Sequence, residues 1–389
     1  IKENVDVPVV SCNRINDPLI AEEVLQQGVA DLIGMARGLI ADPEFPNKAL
    51  EGTFDEIRRC VACNQRCFDH VFMLRPVGCI VNPTAGREAE THITPTEQAK
   101  RILVAGAGPA GCQFACTAAQ RGHAVTVCDK EPYIGGQVHW AADATHKPEL
   151  MNLFRYYGAM FDKLGVEVRT GVEVTPDLVV DESPDLVVVA TGAAPFKPPI
   201  EAVEAPYVVQ AWDVLREQAK TGREVMIVGG GSVGLETAVF LASRGTISPA
   251  QLYFLTLHQA EAPEVLRELL VKGVKKVTVI EMAARMGQDV GPSTRWVLLK
   301  ELRARGVELI TGATLKDISP TQVVYTDAQG ADVTLPADTV VLAMGARPEN
   351  SLAGALEKAG VNVRVIGDAA KVGRIGEAVD EGFDLARKI

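Results

Sequence analysis

Twice along this chain an apolar stretch of five residues runs into a glycine-rich turn and then into a helical pattern, a repeat that leaves few folds open. The first copy is Arg101 to Ala105, then Gly106-Ala107-Gly108-Pro109-Ala110-Gly111, then a helical run through Arg121. The second is Glu224 to Val228, then Gly229-Gly230-Gly231-Ser232-Val233-Gly234, then a helical stretch ending near Arg244. Strand, glycine turn and helix in that order make a dinucleotide-binding fold. The glycines admit a tight turn and close approach of a pyrophosphate, and the helix start offers unpaired N–H groups at a positive dipole end. Two such folds in one chain predict an α/β protein with two nucleotide sites.

The acid that normally follows such a loop separates the two copies. In the first, the strand Ala124 to Cys128 ends at Asp129, 23 residues after Gly106, which suits a ribose-binding carboxylate. In the second, the strand Lys276 to Ile280 ends at Glu281, 52 residues after Gly229, where about 20 is usual. Residues 246–273, opening with the helix-start pair Ser248-Pro249 and rich in Leu and Glu, read as a helical insertion that accounts for the excess. With that registration Glu281 accepts from ribose hydroxyls and repels a 2′-phosphate, favouring NADH over NADPH. Two further apolar strands have glycine exits, Leu186 to Gly192 ending Ala-Thr-Gly and Val340 to Gly345 ending Ala-Met-Gly. Val365-Ile366-Gly367-Asp368 then sets a carboxylate ahead of a helical C-terminus.

Four cysteines precede the first loop as C-x2-C-x3-C-x11-C: Cys60, Cys63, Cys67 and Cys79. Three close thiols and a distant fourth can surround an iron–sulfur cluster, whereas structural zinc sites usually pair C-x2-C with C-x2-C, so zinc is the alternative reading. Arg58, Arg59 and Arg66 beside them carry positive charge that would stabilise added electrons. Cys12, Cys112, Cys116 and Cys128 lie in apolar patterns and are expected to pack.

A chain of 389 residues, 47% hydrophobic, is expected to form two or three domains. Its net charge of −11 excludes nucleic acid as a natural partner. No apolar run approaches the ~20 residues that span a bilayer, and no signal peptide opens the chain. Cysteines without a disulfide pattern suit a reducing compartment, so the expected location is cytoplasmic. The chain begins at Ile1 within an α/β pattern: a strand at Val7 to Val10, a helix at Asp17 to Gln27 and a strand at Asp31 to Met35. A further N-terminal part is therefore expected, because two βα units cannot close a barrel.

Taken together, these motifs resemble the family of 2,4-dienoyl-CoA reductase and trimethylamine dehydrogenase, the long iron–sulfur members of the old yellow enzyme group. The resemblance extends to Asn13-Arg14-Ile15-Asn16-Asp17-Pro18, Gly34-Met35-Ala36-Arg37 and Ala41-Asp42-Pro43-Glu44-Phe45, which are similar to that family's last two barrel strands. It implies four parts: the end of an FMN-binding TIM (β/α)8 barrel over 1–50, a four-iron (4Fe-4S) cluster segment over 51–97, and two Rossmann-like domains. The FAD-binding domain would be 98–220 with 345–389, interrupted by an NADH-binding domain at 221–344 that carries the helical insertion.

Residue by residue, the resemblance places Arg14, Ala36 and Arg37 on FMN phosphate, consistent with the phosphate sites that follow the last strands of TIM barrels. It places Gly106, Gly108, Ala110 and Gly111 on the FAD pyrophosphate, Asp129 on its ribose, and Gly136, Gln137, Lys147, Val174, Thr191, Gly192, Gly367 and Asp368 around that cofactor. NADH falls to Gly229, Gly231, Ser232, Val233, Gly234 and Glu281, and the cluster to Cys60, Cys63, Cys67 and Cys79. The proton donors of the family belong to barrel strands that would precede Ile1, so no catalytic residue is assigned.

The implied activity is NADH-dependent reduction of an activated C=C bond in an enoyl-CoA, dienoyl-CoA or enoate, with electrons passing from NADH to FAD, cluster, FMN and substrate. Three alternatives stay open: an amine dehydrogenase of the trimethylamine dehydrogenase type, an NADH-oxidising electron-donor component for a partner protein, and a redox sensor. FAD versus ADP in the first site, and a homo-oligomer versus an electron-transfer partner, are likewise open.

Overall fold

The computed structural model describes residues 1–144 and 147–389, and the chain folds as two units. The first holds Ile1–Ala142, Lys147–Ala193 and Arg347–Ile389; of the described residues the second holds Asp143, Ala144 and Ala194–Ala346.

Among the described residues, the first unit is built on a five-stranded parallel sheet in the order Val363–Val365, Leu186–Val189, Arg101–Ala105, Ala124–Asp129, Glu167–Thr170. Its central strands are buried on both faces, as their unbroken apolar runs require: Val187, Val188 and Val189 are all inaccessible. Each such valine contributes about 1.5–3 kcal/mol of apolar transfer. The helix Pro109–Gln120 opens with Pro109, whose fixed φ suits a first turn and whose missing N–H costs nothing there. Its inner face is Ala110, Gly111, Cys112, Ala115, Cys116 and Ala118, residues small enough for the C-terminal helix Ile375–Ala386 to lie almost against its backbone. A Cβ on Gly382 of that helix would stand 2.3 Å from the Ala110 carbonyl oxygen.

At the start of the chain Val10–Ser11 pairs parallel with Leu32–Ile33, and the helix Pro18–Gln26 lies between them in sequence. Asp17 caps that helix, its Oδ1 accepting the Leu19 N–H at 2.9 Å. The first strand sits later than the expected Val7 to Val10, since Pro8 has no N–H to give to a ladder. Cys112, Cys116 and Cys128 are buried as expected, but Cys12 is exposed, one residue beyond the strand end.

The second unit repeats the plan, with a parallel sheet in the order Glu308–Thr311, Lys276–Glu281, Glu224–Val228, Thr339–Leu342, Val208–Gln210. It begins well before the expected boundary at 221. Val208–Gln210 extends this sheet beside Thr339–Leu342, and Ala211 and Val214 are buried in its core. The stretch 246–273 is two helices, Pro249–Leu257 and Pro263–Val271. Ser248 caps the first with a reciprocal capping box to Gln251. An antiparallel sheet of Thr314–Ile318, Gln322–Thr326 and Asp332–Pro336, absent from the sequence reading, completes the unit. Among the described residues no helix is long and apolar enough to cross a membrane.

Candidate functional site

In the first unit the glycine loop sits at the carboxyl ends of the central strands, the place where open α/β sheets bind ligands. Gly106 has φ of +110°, and a Cβ there would lie 2.3 Å from the Ala190 carbonyl oxygen, so only glycine lets the loop pass the exit of Leu186–Val189. A Cβ on Gly111 would lie 2.0 Å from the Gly106 carbonyl oxygen, whereas one on Gly108 would meet nothing within 4 Å. The loop is latched by Asp129, whose Oδ2 accepts the Ala107 N–H at 2.7 Å and whose Oδ1 accepts the Glu131 N–H at 2.9 Å. The Gly135 N–H in turn donates to the Ala107 carbonyl at 2.9 Å.

Around this loop the fold collects several of the residues expected from sequence. A Cβ on Gly136 would lie 3.5 Å from Gly108 Cα, and one on Gly192 would lie 3.6 Å from Gln137 Nε2. Thr191 Oγ1 donates to the Glu349 carbonyl at 2.5 Å, and a Cβ on Gly367 would lie 2.7 Å from the Ala110 Cβ. Burial pushes the Asp368 carboxyl up, while the Gly373 N–H donated to it pulls the other way. Two residues stand apart: the Val174 side chain is packed in the core with Cys128 and Val187, and Lys147 is exposed ahead of the turn Pro148–Met151.

The second loop has the same construction. Glu281 Oε2 accepts the Gly230 N–H at 2.6 Å, and its Oε1 accepts the Ala283 N–H at 2.8 Å. Gly287 donates to the Gly230 carbonyl at 2.7 Å. Glu281 thus stands to Gly230 as Asp129 stands to Ala107, so the 52-residue spacing is the usual one with a helical pair inserted. Gly229, Gly230 and Gly234 are the close-approach positions here, a Cβ on each falling 2.3 Å from the Ala343 oxygen, 2.3 Å from the Met286 sulfur and 1.9 Å from the Gly229 oxygen respectively. Asp289 carries no motif that marks it, yet it accepts the Ser232 N–H with both oxygens at 2.9 and 3.0 Å and the Ser232 hydroxyl at 2.6 Å.

Cys60, Cys63, Cys67 and Cys79 line one small cavity with Arg37, Ile40, Asn64 and Arg66. Two residues of positive φ, Ala62 at 55° and Asn64 at 61°, turn the backbone around it. Backbone N–H groups point at the sulfurs: Ala62 donates to Cys60 Sγ at 3.4 Å, and Cys63, Cys67 and Cys79 receive bonds from Gln65, Phe68, and Val81 with Asn82. Burial pushes the Cys63 thiol up to about 12, and the other three sulfurs add to the shift. Burial raises Cys67 and Cys79 as well. Among the described residues no three such side chains converge closely enough for one ion; the thiols ring a cavity instead. Four sulfurs around one cavity, with amide donors aimed at them, fit a polynuclear iron–sulfur group, whose sulfurs are tuned by such bonds.

A second cleft of about 290 Å³ adjoins the first and is lined by Cys12, Asn13, Arg14, Gly34, Met35, Ala36, Arg37 and Cys60. It brings together the three residues expected at an FMN phosphate, with Arg14 ion-paired to Glu149. Cys60 and Arg37 line both cavities. The arginines flanking the cysteines behave differently from expectation. Arg59 is paired with Asp17 at 2.5 Å, and Arg66 with Asp380 at 2.6 Å and Glu377 at 3.2 Å, so their charges are largely compensated. Arg58 turns to Tyr156 and Asn82, away from the cavity lining. Arg37, held by Asn64 at 2.8 Å, is the guanidinium that favours a charged sulfur at Cys67. Its double position follows from the fold and has no signature in the sequence.

Comparison with known proteins agrees with this construction. The family model of the pyridine nucleotide-disulphide oxidoreductases matches residues 100–371, and that of the NADH:flavin oxidoreductase / NADH oxidase family matches residues 1–56. The chain is 46% identical to a metal reductase of Desulforamulus reducens over 392 residues, covering 100% of this chain and 58% of that protein. It is 30% identical to a cinnamate reductase of Clostridium sporogenes, covering 100% and 54% respectively. A solved 2-naphthoyl-CoA reductase in complex with 2-naphthoyl-CoA is similar over 100% of this chain and 55% of its own, with 33% identity and a TM-score of 0.88. The chain thus spans little more than half the length of these relatives. They fit the 2,4-dienoyl-CoA reductase resemblance drawn from the motifs, and over residues 100–371 the chain belongs to the pyridine nucleotide-disulphide oxidoreductase family.

Proposed function

We propose that this chain is the electron-entry portion of an NADH-dependent reductase that saturates a C=C bond conjugated to a carboxylate or thioester carbonyl. The carrying observation is the cavity wall shared by Cys60 and Arg37, which sets a four-cysteine ring directly against a cleft lined by Arg14, Ala36 and Arg37. When bound, two flavins, a 4Fe-4S cluster and NADH supply hydride and single-electron transfer. The chain's own residues do the rest. Asp129 and Glu281 hold the glycine loops in shape, with lone pairs to spare for ribose hydroxyls. Gly108 and Gly231 leave room for pyrophosphates, and Cys60, Cys63, Cys67 and Cys79 hold the cluster. Arg14 and Arg37 offer forked donors to the FMN phosphate.

Glu281 favours this reading over amine oxidation, because a dehydrogenase that passes electrons to a protein acceptor has little need of a built NADH loop. The names of the relatives add support, a cinnamate reductase and a 2-naphthoyl-CoA reductase among them. The test is an anaerobic NADH titration of the purified protein with iron and flavin analysis, beside Cys63→Ser. The expected result is bleaching of flavin and cluster absorbance, about four irons per chain, and loss of that iron in Cys63→Ser. Absence of iron from the anaerobically purified protein, or no bleaching by NADH, overturns it.

A further inference from the structure

The helical pair within 246–273 presents an apolar surface to water. Its first helix, Pro249–Leu257, reads Pro-Ala-Gln-Leu-Tyr-Phe-Leu-Thr-Leu, without a charge and without one buried residue. Tyr253, Phe254 and Leu257 are 70, 58 and 60% exposed. A helix that is apolar all round normally lies inside a protein, whereas a surface helix sets charge on its outer side. The second helix, Pro263–Val271, buries Leu266 but leaves Val265 and Leu270 exposed, and Val274 just beyond it is exposed as well. Tyr253 and Phe254 each expose more than half of a side chain worth about 150–250 Å², and the four aliphatic residues add a comparable amount, so the pair offers on the order of 500 Å² of apolar surface.

Area and charge select the occupant. Two copies meeting on this surface would bury on the order of 1,000 Å² of apolar area, which at the ~65% apolar share of homodimer contacts corresponds to about 1,500 Å² in all, the size of a standard stable interface. Each copy carries a net charge of −11, so two copies repel over most of their surfaces and approach best where charge is absent, as it is along Pro249–Leu257. The ends of the pair differ in sign. Its root, where Ile247 donates to the Leu269 carbonyl at 3.1 Å and Val274 to the Arg244 carbonyl at 2.8 Å, carries Lys272 and Lys276, and its tip carries Glu261 and Glu264. Lys272 meets Glu268 of its own helix at 2.7 Å, an exposed pair weak enough to exchange partners. Two such pairs lying antiparallel about a two-fold axis set acidic tip against basic root in both directions, as an isologous contact requires. A lipid surface does not fit, because helices that lie on membranes carry Lys and Arg on their polar face and Pro249–Leu257 carries neither.

We propose that the helical pair within 246–273 is a dimerisation element whose occupant is the same pair of a second copy of this chain. The insertion that stretches the second loop's spacing to 52 residues is thereby an assembly device, separate from nucleotide recognition.

Sedimentation velocity of the full chain over a dilution series tests this, beside Phe254→Glu and Leu257→Glu, which place like charges against each other across the two-fold axis. The expected result is a native species of twice the chain mass and a dissociation constant raised at least about thirtyfold in each variant, the scale of an interface hot spot. Should a glutamate at these positions prevent folding, Tyr253→Ser carries the same expectation of weaker association, with circular dichroism showing that the helices are kept. A native protein that sediments at the mass of one chain at every concentration overturns the proposal. An assembly whose mass none of these variants lowers overturns it as well, since the copies would then meet on another face.

Discussion

One methyl group separates two glycines of the first loop. At Gly111 it would lie 2.0 Å from a carbonyl oxygen of the same loop, and at Gly108 it would meet nothing within 4 Å. Gly111→Ala is expected to cost the first unit 3 kcal/mol or more, roughly the upper range for overpacking, seen as a lower midpoint in urea. Gly108→Ala should lose only about 1 kcal/mol while markedly weakening flavin retention, because its methyl would occupy the space a pyrophosphate needs. Equal destabilisation by both would contradict the geometry. His123, between that helix and the next strand, gives a pH dependence. Burial lowers its pKa below the usual 6.5, and its Nδ1 accepts the Lys100 N–H at 3.1 Å, which requires the neutral ring. The unfolded chain then binds the proton more readily than the folded one, so stability is full above about pH 6.5 and declines as pH falls through and below it. Thermal unfolding from pH 8 to pH 5 should show this decline, and His123→Gln should flatten it. At this scale the sequence was most legible where one residue type has one reason to be present, as with Gly106, whose positive φ and close approach to the Ala190 carbonyl only glycine allows. Asp289 and the second role of Arg37 were illegible because an ordinary aspartate or arginine gives no hint of what the fold brings to it.

Elements were read correctly where their apolar pattern was unbroken. Arg101–Ala105 and Glu224–Val228 begin and end where the sequence places them, being buried strands flanked by glycine turns. The antiparallel sheet over 314–336 went unread because its strands are short and one face is solvated: Asp332–Pro336 alternates exposed and half-buried residues without a sustained apolar run. Val208–Gln210, only three residues long, went unassigned to the second unit for a similar reason. The helical pair within 246–273 was legible from Ser248-Pro249, and its ends meet: Gly273 donates to the Ala242 carbonyl at 3.1 Å and Val274 to the Arg244 carbonyl at 2.8 Å. Every residue of Pro249–Leu257 is at least partly exposed, so this helix contributes little to the core. Replacing 247–271 with a short glycine-containing turn should therefore leave the second unit folded, at a cost of about 1.5–3 kcal/mol for the buried Leu266 of the second helix, read from urea unfolding. Loss of cooperative unfolding in that variant would show that the helices brace the strands Glu224–Val228 and Lys276–Glu281 after all.

Across the whole molecule, the segment carrying the cysteines is tied to the far end of the chain. Arg66, next to Cys67, pairs with Glu377 and Asp380, and Arg87 pairs with Asp380 and Asp384, all on the C-terminal helix that packs against Pro109–Gln120. These contacts span some 300 residues of sequence, which is why the motifs alone did not disclose them. The Arg66 and Asp380 side chains are 17% and 29% exposed, enough to rank the pair above a surface ion pair, and Arg66→Met should cost about 1–2 kcal/mol. A double-mutant cycle with Asp380→Asn should recover most of that loss as coupling; additive effects would mean that the two act separately. The latches at Asp129 and Glu281 have a consequence in time as well as in shape. Because each carboxylate already fixes its loop, the ordering entropy of the loop is met when the chain folds and is not charged again to an arriving nucleotide. Nucleotide association should then be a single fast phase without a slow conformational step, leaving affinity to be decided by how long the guest stays.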